Sequence, residues 1–121
     1  MTSMITTHVL DLALGKPAER VAVVLARQTS TGQWAELARD HTDADGRIKS
    51  WPAGTSTLEE AVTLEAGVYR LEFATDEYFR RTARPSFHPT VAIHFEVADP
   101  ADRYHVPLLL SPFGYSTYRG S

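Results

Sequence analysis

The segment RVAVVLARQ, residues 20–28, decides the fold class because it is apolar on both faces of an extended chain. Alternate positions carry Val, Val and Leu, and the positions between them carry Ala, Val and Ala. A strand that is apolar on both faces is typical of the interior of a sheet. The TSTG stretch at residues 29–32 predicts a hairpin turn, and residues 33–39 predict the returning strand. We therefore expect residues 20–28 to form a central strand.

Further strands are predicted on both sides of this hairpin. Apolar and polar residues alternate, or apolar residues cluster between turn signals, at residues 6–12, 67–74, 90–97, 103–111 and 115–119, with a short extended piece at 47–50. Seven or eight short strands separated by turns predict an all-β antiparallel sandwich.

One short helix is predicted at residues 75–83, between two strands. Thr75 is expected to be its N-cap, since acidic residues follow in the first turn and arginines fill the last. Residues 56–64 fit neither a helix nor a strand clearly. Pro107 cannot donate a backbone hydrogen bond, so we expect its strand to lie at a sheet edge or beside a bulge.

Composition excludes several classes of protein. The chain has 121 residues, which predicts a single domain over residues 1–121. It has no cysteine, so disulfides, a cysteine nucleophile, iron–sulfur clusters and thiolate zinc sites are excluded. A net charge of −3 gives no basis for nucleic-acid binding. Apolar runs are too short for a membrane span and no signal peptide is visible, so we expect a cytoplasmic protein with neither nucleic-acid nor membrane partners.

Five histidines are the main candidates for acid–base chemistry, because this side chain titrates near neutral pH. His41, His88 and His94 are expected at the surface, whereas His8 and His105 lie inside predicted strands among apolar neighbours. A histidine in such a position is usually a hydrogen-bonded structural residue, so the pattern alone leaves a catalytic role open. No pair has the spacing of a helical zinc motif, and no metal site is predicted.

Two other polar features stand out. Arg47 follows an Asp45–Gly46 turn, where an arginine is usually an exposed loop charge. The GYSTYRGS stretch, residues 114–121, continues a strand pattern up to residue 121 and contains two tyrosines and an arginine. A paired, buried strand and a frayed tail both fit this pattern.

Four motifs resemble those of the 5-hydroxyisourate hydrolases, the transthyretin-related enzymes of urate breakdown. They are THVLD at residues 7–11, GKPA at 15–18, DGR at 45–47 and the tail YHVPLLLSPFGYSTYRGS at 104–121. The resemblance covers essentially the whole chain, and the closing Tyr-Arg-Gly-Ser is its most specific element. Phe113 stands where many relatives carry tyrosine.

The resemblance implies a homotetramer in which two dimers stack and the active sites lie at the dimer–dimer interface. Carried over by motif, the catalytic residues are His8, Arg47, His105 and Ser121. The residues that bind substrate are His8, Arg47, Tyr118, Arg119 and Gly120.

The implied reaction opens the cyclic amide of 5-hydroxyisourate to give 2-oxo-4-hydroxy-4-carboxy-5-ureidoimidazoline, a step of purine catabolism. A neutral histidine of the His8 and His105 pair would be the general base for water, and Arg47 would stabilise the developing oxyanion. No metal or organic cofactor is implied. Transthyretin, the hormone-binding relative, lacks the first-strand histidine and the Tyr-Arg-Gly-Ser ending. This chain has both features, so the resemblance favours the hydrolase. The alternative is a non-catalytic carrier of flat aromatic ligands.

Overall fold

Two β-sheets packed face to face make up the computed structural model, which describes residues 4–52 and 64–121. In chain order the elements are β1 (Ile5–Asp11), β2 (Lys16–Pro17), β3 (Ala22–Gln28), β4 (Trp34–His41), β5 (Arg47–Ile48), β6 (Gly67–Phe73), α1 (Thr75–Arg81), β7 (Val91–Val97), β8 (Tyr104–Ser111) and β9 (Gly114–Thr117). The first sheet has the order β2-β1-β8-β9, with β5 also paired to β1, and the second has the order β4-β3-β6-β7. The all-β sandwich with one short helix is confirmed.

The central position predicted for residues 20–28 is confirmed, since β3 pairs with β4 on one side and β6 on the other. The ladder between β3 and β4 contains an irregularity between Leu25 and Ala26. The predicted segment at residues 56–64 lies outside the described residues except for Leu64, which is buried.

The core lies between the two sheets and is built from alternate residues of their strands. Its side chains include Val23, Leu25, Leu71 and Phe73 from the second sheet and Ile5, Val9, Leu108 and Leu110 from the first. Each such side chain contributes roughly 1.5–3 kcal/mol when it is fully buried. Trp51, which follows β5, is also buried and donates its indole N–H to the Ile5 carbonyl at 3.0 Å.

One strand pair departs from the antiparallel pattern. β1 and β8 run parallel, in register from Ile5 opposite Tyr104 to Asp11 opposite Leu110. A short hairpin can join only antiparallel strands, whereas a parallel pair needs a long crossover. All four strands of the second sheet lie between β1 and β8 in the chain, so the connection is long enough for β1 and β8 to pair in parallel.

The expectation that Pro107 lies at a sheet edge or a bulge is wrong, because β8 is flanked by β1 and β9. The ladder between β8 and β9 stops at Leu108 and is followed only by a bridge between His105 and Gly120. The missing N–H of Pro107 falls in this gap. Its carbonyl is still used, since it accepts a hydrogen bond from the Thr117 hydroxyl at 2.7 Å.

The helix α1 is confirmed, but Thr75 is not its N-cap. Ala74 occupies that position without a side-chain cap, and Thr75 is the first helical residue. The Thr75 hydroxyl donates to the His88 carbonyl at 3.1 Å, which ties the helix to the segment before β7. No helix within residues 4–52 and 64–121 is long and apolar enough to cross a membrane.

A buried carboxylate joins the end of β1 to the helix. Asp11, which is 0% exposed, accepts hydrogen bonds from the Arg84 guanidinium at 2.6 Å, the Tyr78 hydroxyl at 2.7 Å and the Leu14 amide at 3.1 Å. Burial would raise the pKa of Asp11, but these three donors outweigh it and hold the pKa below its ordinary value. Burial and the Asp11 carboxylate together raise the pKa of Tyr78 to about 12.

Replacing Arg84 by Met should lower the free energy of unfolding by about 3 kcal/mol at pH 7, because it leaves a buried carboxylate without its charged partner. Chemical denaturation measures the change. The matched control is Arg80→Met, which breaks the pair of the exposed Arg80 with the half-buried Asp76 and should cost no more than about 1 kcal/mol. Equal losses in the two variants would contradict a structural role for the Asp11–Arg84 pair.

Candidate active site

A tight turn places Arg47 beside the first strand. Gly46 has a φ of +75°, and its carbonyl accepts a hydrogen bond from the Val9 amide at 2.7 Å. A side chain at Gly46 would overlap the Val9 carbonyl, so only glycine allows the turn to approach β1 this closely. The Asp43 carboxylate accepts a hydrogen bond from the Arg47 backbone amide at 2.9 Å. As a result, Arg47 lies directly opposite His8 in the pair of β5 with β1.

The parallel pairing places His105 on the other side of β1. His105 is the register partner of Thr6, and Thr6 Oγ1 lies 2.8 Å from His105 Nδ1, within hydrogen-bond distance. Thr6 and His8 are two residues apart and therefore share one face of the strand. Sequence reasoning missed Thr6, although its position two residues before a candidate histidine was a usable signal.

The C-terminal tail is paired but not buried within one chain. The Gly120 amide donates to the His105 carbonyl at 2.8 Å. A Cβ at Gly120 would lie 2.5 Å from His105 Cδ2, so the tail needs glycine here to lie against the imidazole ring. Tyr118, Arg119 and Ser121 are exposed. The sequence left open a paired, buried strand or a frayed tail. In the structure the tail is paired with β8, but most of its side chains are exposed.

These elements surround an open cleft of about 280 Å³ on the outer side of the first sheet. It is lined by Met4, Thr6, Thr7, Arg47, Lys49, Arg103, His105 and Ser121. The cleft thus brings together three of the four residues expected to be catalytic. His8, the fourth, is outside the lining set but adjoins the cleft as the register partner of Arg47.

Tyr118 and Arg119 lie in a neighbouring groove of about 290 Å³ rather than in this cleft. The groove runs between β7 and residues 104–106 and 117–119, and His105 contributes to both depressions. The Arg119 guanidinium stacks on the Tyr104 ring at 4.6 Å and donates to the Arg103 carbonyl at 3.2 Å. Within one chain, these two residues are therefore separate from the cleft that contains Arg47.

The remaining histidines lie away from the cleft. His41 and His94 are exposed, as expected. His88 is half-buried, with its ring edge-on to Phe87 and Tyr115 at centroid distances of 5.0 Å and 5.1 Å. Within residues 4–52 and 64–121, no group of three or more His, Asp or Glu side chains is placed to hold a metal ion.

The surroundings lower the pKa of both candidate histidines, which favours their neutral form. Burial, followed by the positive charge of Arg47, lowers the pKa of His105, and the nearby His8 adds to the effect. Burial and then Arg47 also lower the pKa of His8, against a hydrogen bond to the Asp45 backbone and the charges of Asp43 and Asp45. A neutral imidazole can accept a proton, and an arginine can stabilise an oxyanion, so the cleft is equipped for base-assisted hydrolysis.

Fold and site together define a transthyretin-like sandwich that carries an acid–base cleft on one face. Residues 5–120 match the model of the HIUase/Transthyretin family, and the chain belongs to that family.

Known proteins of two kinds resemble the chain. It is 43% identical to the 5-hydroxyisourate hydrolase of Salmonella typhi over 99% of this chain and 82% of that protein. The solved structure of Klebsiella pneumoniae 5-hydroxyisourate hydrolase is 38% identical, with a TM-score of 0.78 over 97% of this chain and 98% of that one. Sea bream transthyretin in complex with thyroxine is 33% identical, with a TM-score of 0.82 over 96% and 93% of the two chains.

Replacing Arg47 by Gln should raise the pKa values of both His8 and His105, because it removes a positive charge that opposes their protonation. Titration of the histidine ring protons by NMR measures both values. Arg39→Gln is the control, since Arg39 is exposed on β4 and paired with Glu36, and it should move neither pKa. Unchanged pKa values in Arg47→Gln would show that Arg47 does not set the protonation state of the cleft.

Proposed function

We propose that this chain is a hydrolase that opens the cyclic amide of 5-hydroxyisourate to give 2-oxo-4-hydroxy-4-carboxy-5-ureidoimidazoline. The observation that carries the proposal is the cleft, which is lined by both His105 and Arg47 and adjoins His8. The relatives that bear the name 5-hydroxyisourate hydrolase, matched over nearly the whole chain, support the same substrate. The cytoplasmic location and the single domain over residues 1–121 remain predictions.

In the proposed mechanism, water attacks the amide carbonyl while a neutral imidazole accepts its proton. Such general base catalysis is worth about 10²–10⁴-fold. Arg47 stabilises the negative charge that develops on the carbonyl oxygen, assisted by the positive field of the cleft lining. Ser121 lies in the same cleft and can orient the water. Tyr118, Arg119 and Gly120 are proposed to hold the flat ring of the substrate.

The likeness to thyroxine-bound transthyretin does not decide between enzyme and carrier, because one fold hosts many functions. The polar groups of the cleft favour the enzyme. A carrier of flat aromatic ligands has no need for two imidazoles whose pKa values are both lowered beside an arginine. A carrier would bind a flat aromatic ligand without accelerating the decay of 5-hydroxyisourate, and the activity assay below distinguishes this outcome.

We also propose that the chain assembles as a homotetramer with the sites between its dimers. The edge strands β7 and β9 line the same side of the sandwich and offer unpaired backbone groups to a second copy. Several large apolar side chains on the first sheet and in the turns and tail next to it are exposed, namely Leu12, Leu14, Phe113, Tyr115 and Tyr118. Covering them with a second copy would also enclose the cleft, which a 121-residue chain leaves open.

Generating 5-hydroxyisourate from urate with urate oxidase and following its ultraviolet band tests the proposed activity. The wild-type protein should accelerate the decay of the band. His8→Ala, His105→Ala and Arg47→Ala should each lower kcat/KM by about 10²–10⁴-fold, because each removes a proton acceptor or the charge that stabilises the oxyanion. His41→Ala, an exposed histidine far from the cleft, is the control and should leave the rate unchanged.

Two results would contradict the proposal in different ways. Near-normal rates in all three cleft variants would mean that the site assignment is wrong. Unaccelerated decay, together with tight binding of a flat aromatic ligand, would favour the carrier.

The double variant Leu14→Glu with Phe113→Glu should break the tetramer into smaller species, because it places charges in the apolar surface proposed to be covered. Sedimentation velocity measures the change. Ala35→Glu, on the exposed side of β4, is the control and should leave assembly intact. A monomeric wild-type protein at working concentrations would contradict a site between subunits.

A further inference from the structure

The His105 ring is held along two sides, which leaves one nitrogen for chemistry. Nδ1 is bonded to the Thr6 hydroxyl at 2.8 Å, and the backbone at Gly120 lies against Cδ2. If His105 acts on a substrate, it must therefore act through Nε2. The identity of the neutral tautomer then decides whether Nε2 can accept a proton.

The charges around the ring favour a proton on Nδ1. The charged and titratable groups around the cleft are His8 on β1, Arg47 and Lys49 at β5 and just beyond it, and Arg103 next to β8. Across the groove, β7 contributes His94 and Glu96, and the tail contributes Tyr118 and Arg119. Three of the groups around the cleft, Arg47, Lys49 and Arg103, are cationic. A nitrogen lone pair is attracted to cations, whereas an N–H is repelled by them, so the tautomer with an unprotonated Nε2 is favoured. The Thr6 hydroxyl can accept the Nδ1 proton, because a hydroxyl both accepts and donates.

We propose that Thr6 is a positioning residue for the hydrolysis, whose hydroxyl accepts the Nδ1 proton of His105 and so presents an unprotonated Nε2 to water. This inference rests on the proposed function and assigns the general base to His105. Thr6 acts through His105, since its hydroxyl oxygen serves as acceptor both before and after the ring takes up a proton. The hydrogen bond strengthens when the ring becomes charged, which stabilises the state that forms during the attack.

The proton balance of the step is complete. Water loses one proton to Nε2 as its oxygen forms a bond to the amide carbonyl carbon, and the carbonyl π electrons move to the oxygen beside Arg47. Collapse of this intermediate breaks the ring C–N bond, and the proton on Nε2 passes to the leaving nitrogen. The Nδ1 proton stays bonded to Thr6 throughout.

Thr6→Val, which keeps the shape but removes the hydroxyl, should lower kcat by about 10–100-fold, by analogy with the loss seen when the hydrogen-bond partner of a metal-ligating histidine is removed. Without its acceptor the imidazolium is less stable, so the acid limb of the pH–rate profile should move to lower pH. Thr6→Ser retains the hydroxyl, so its kcat and the position of the acid limb of its pH–rate profile should match those of the wild-type protein. Thr29→Val removes an exposed hydroxyl, bonded to Thr31 in a distant turn, and should change neither.

If the role of Thr6 is purely structural, Thr6→Val should lower kcat without moving the acid limb of the pH–rate profile. A limb that moves to higher pH in Thr6→Val would show that the hydroxyl donates to Nδ1, and the assignment of Nε2 as base would be overturned. Failure of Thr6→Ser to restore the rate would also contradict the proposal. If Thr6→Val fails to fold, Thr6→Ser and the spectroscopic test below still decide it.

Long-range ¹H–¹⁵N NMR of histidine-labelled wild-type protein near pH 7.5 reports the tautomer without any substrate. His105 should show a protonated Nδ1 and an unprotonated Nε2, and the opposite pattern would refute the proposal. This readout separates the two claims. A protein with the expected tautomer but no hydrolysis would overturn the proposed function alone, whereas an active protein with the opposite tautomer would overturn the role of Thr6 alone.

Discussion

The parallel pairing of β1 with β8 is the constraint on which the candidate site depends. It sets Thr6 opposite His105 and leaves His8 one pleat further along the same face. The outer neighbours of these two strands complete the site, since β5 brings Arg47 to β1 and the tail brings Gly120 to β8. A shift of one residue in this register would send His8 and Thr6 to the apolar interior. The buried Asp11 at the end of β1, bonded to Arg84 and Tyr78, helps to hold the strand in place.

The position of the candidate site on the outer face of the first sheet explains how so short a chain could have both a packed core and a site. A chain of 121 residues has little core to spare, and a deep cavity would remove side chains that stabilise the sandwich. In the structure the core side chains are buried, and the cleft is a surface feature in which Thr6, Arg47 and His105 are half-buried. Partial burial and the charge of Arg47 are enough to lower the pKa values of both histidines. The same openness is the reason to expect a second copy over the cleft.

Local patterns in the sequence predicted most of the strands, the position of the helix and the central place of residues 20–28, because alternation and turn residues act over a few positions. They could not predict the parallel partner of β1, whose residues lie 99 positions further along the chain and are brought to β1 by packing. The Pro107 error has the same origin, since a gap in the ladder depends on the neighbouring strand. Thr75 failed as a cap because its hydroxyl is used by the distant His88 carbonyl. Among the site residues, the family motifs pointed to His8, Arg47 and His105, whereas Thr6 emerged only from its contact.

The most direct test of the central claim is a crystal structure with a planar analogue of 5-hydroxyisourate that resists hydrolysis. The analogue should lie in the cleft, with a carbonyl oxygen at hydrogen-bond distance from Arg47 and the attacked carbon facing His105 Nε2. The Thr6 hydroxyl should remain bonded to Nδ1. An analogue bound only in the groove beside Tyr104 and Arg119, without contact to Arg47, would contradict the claim that the pairing of β1 and β8 builds the active site.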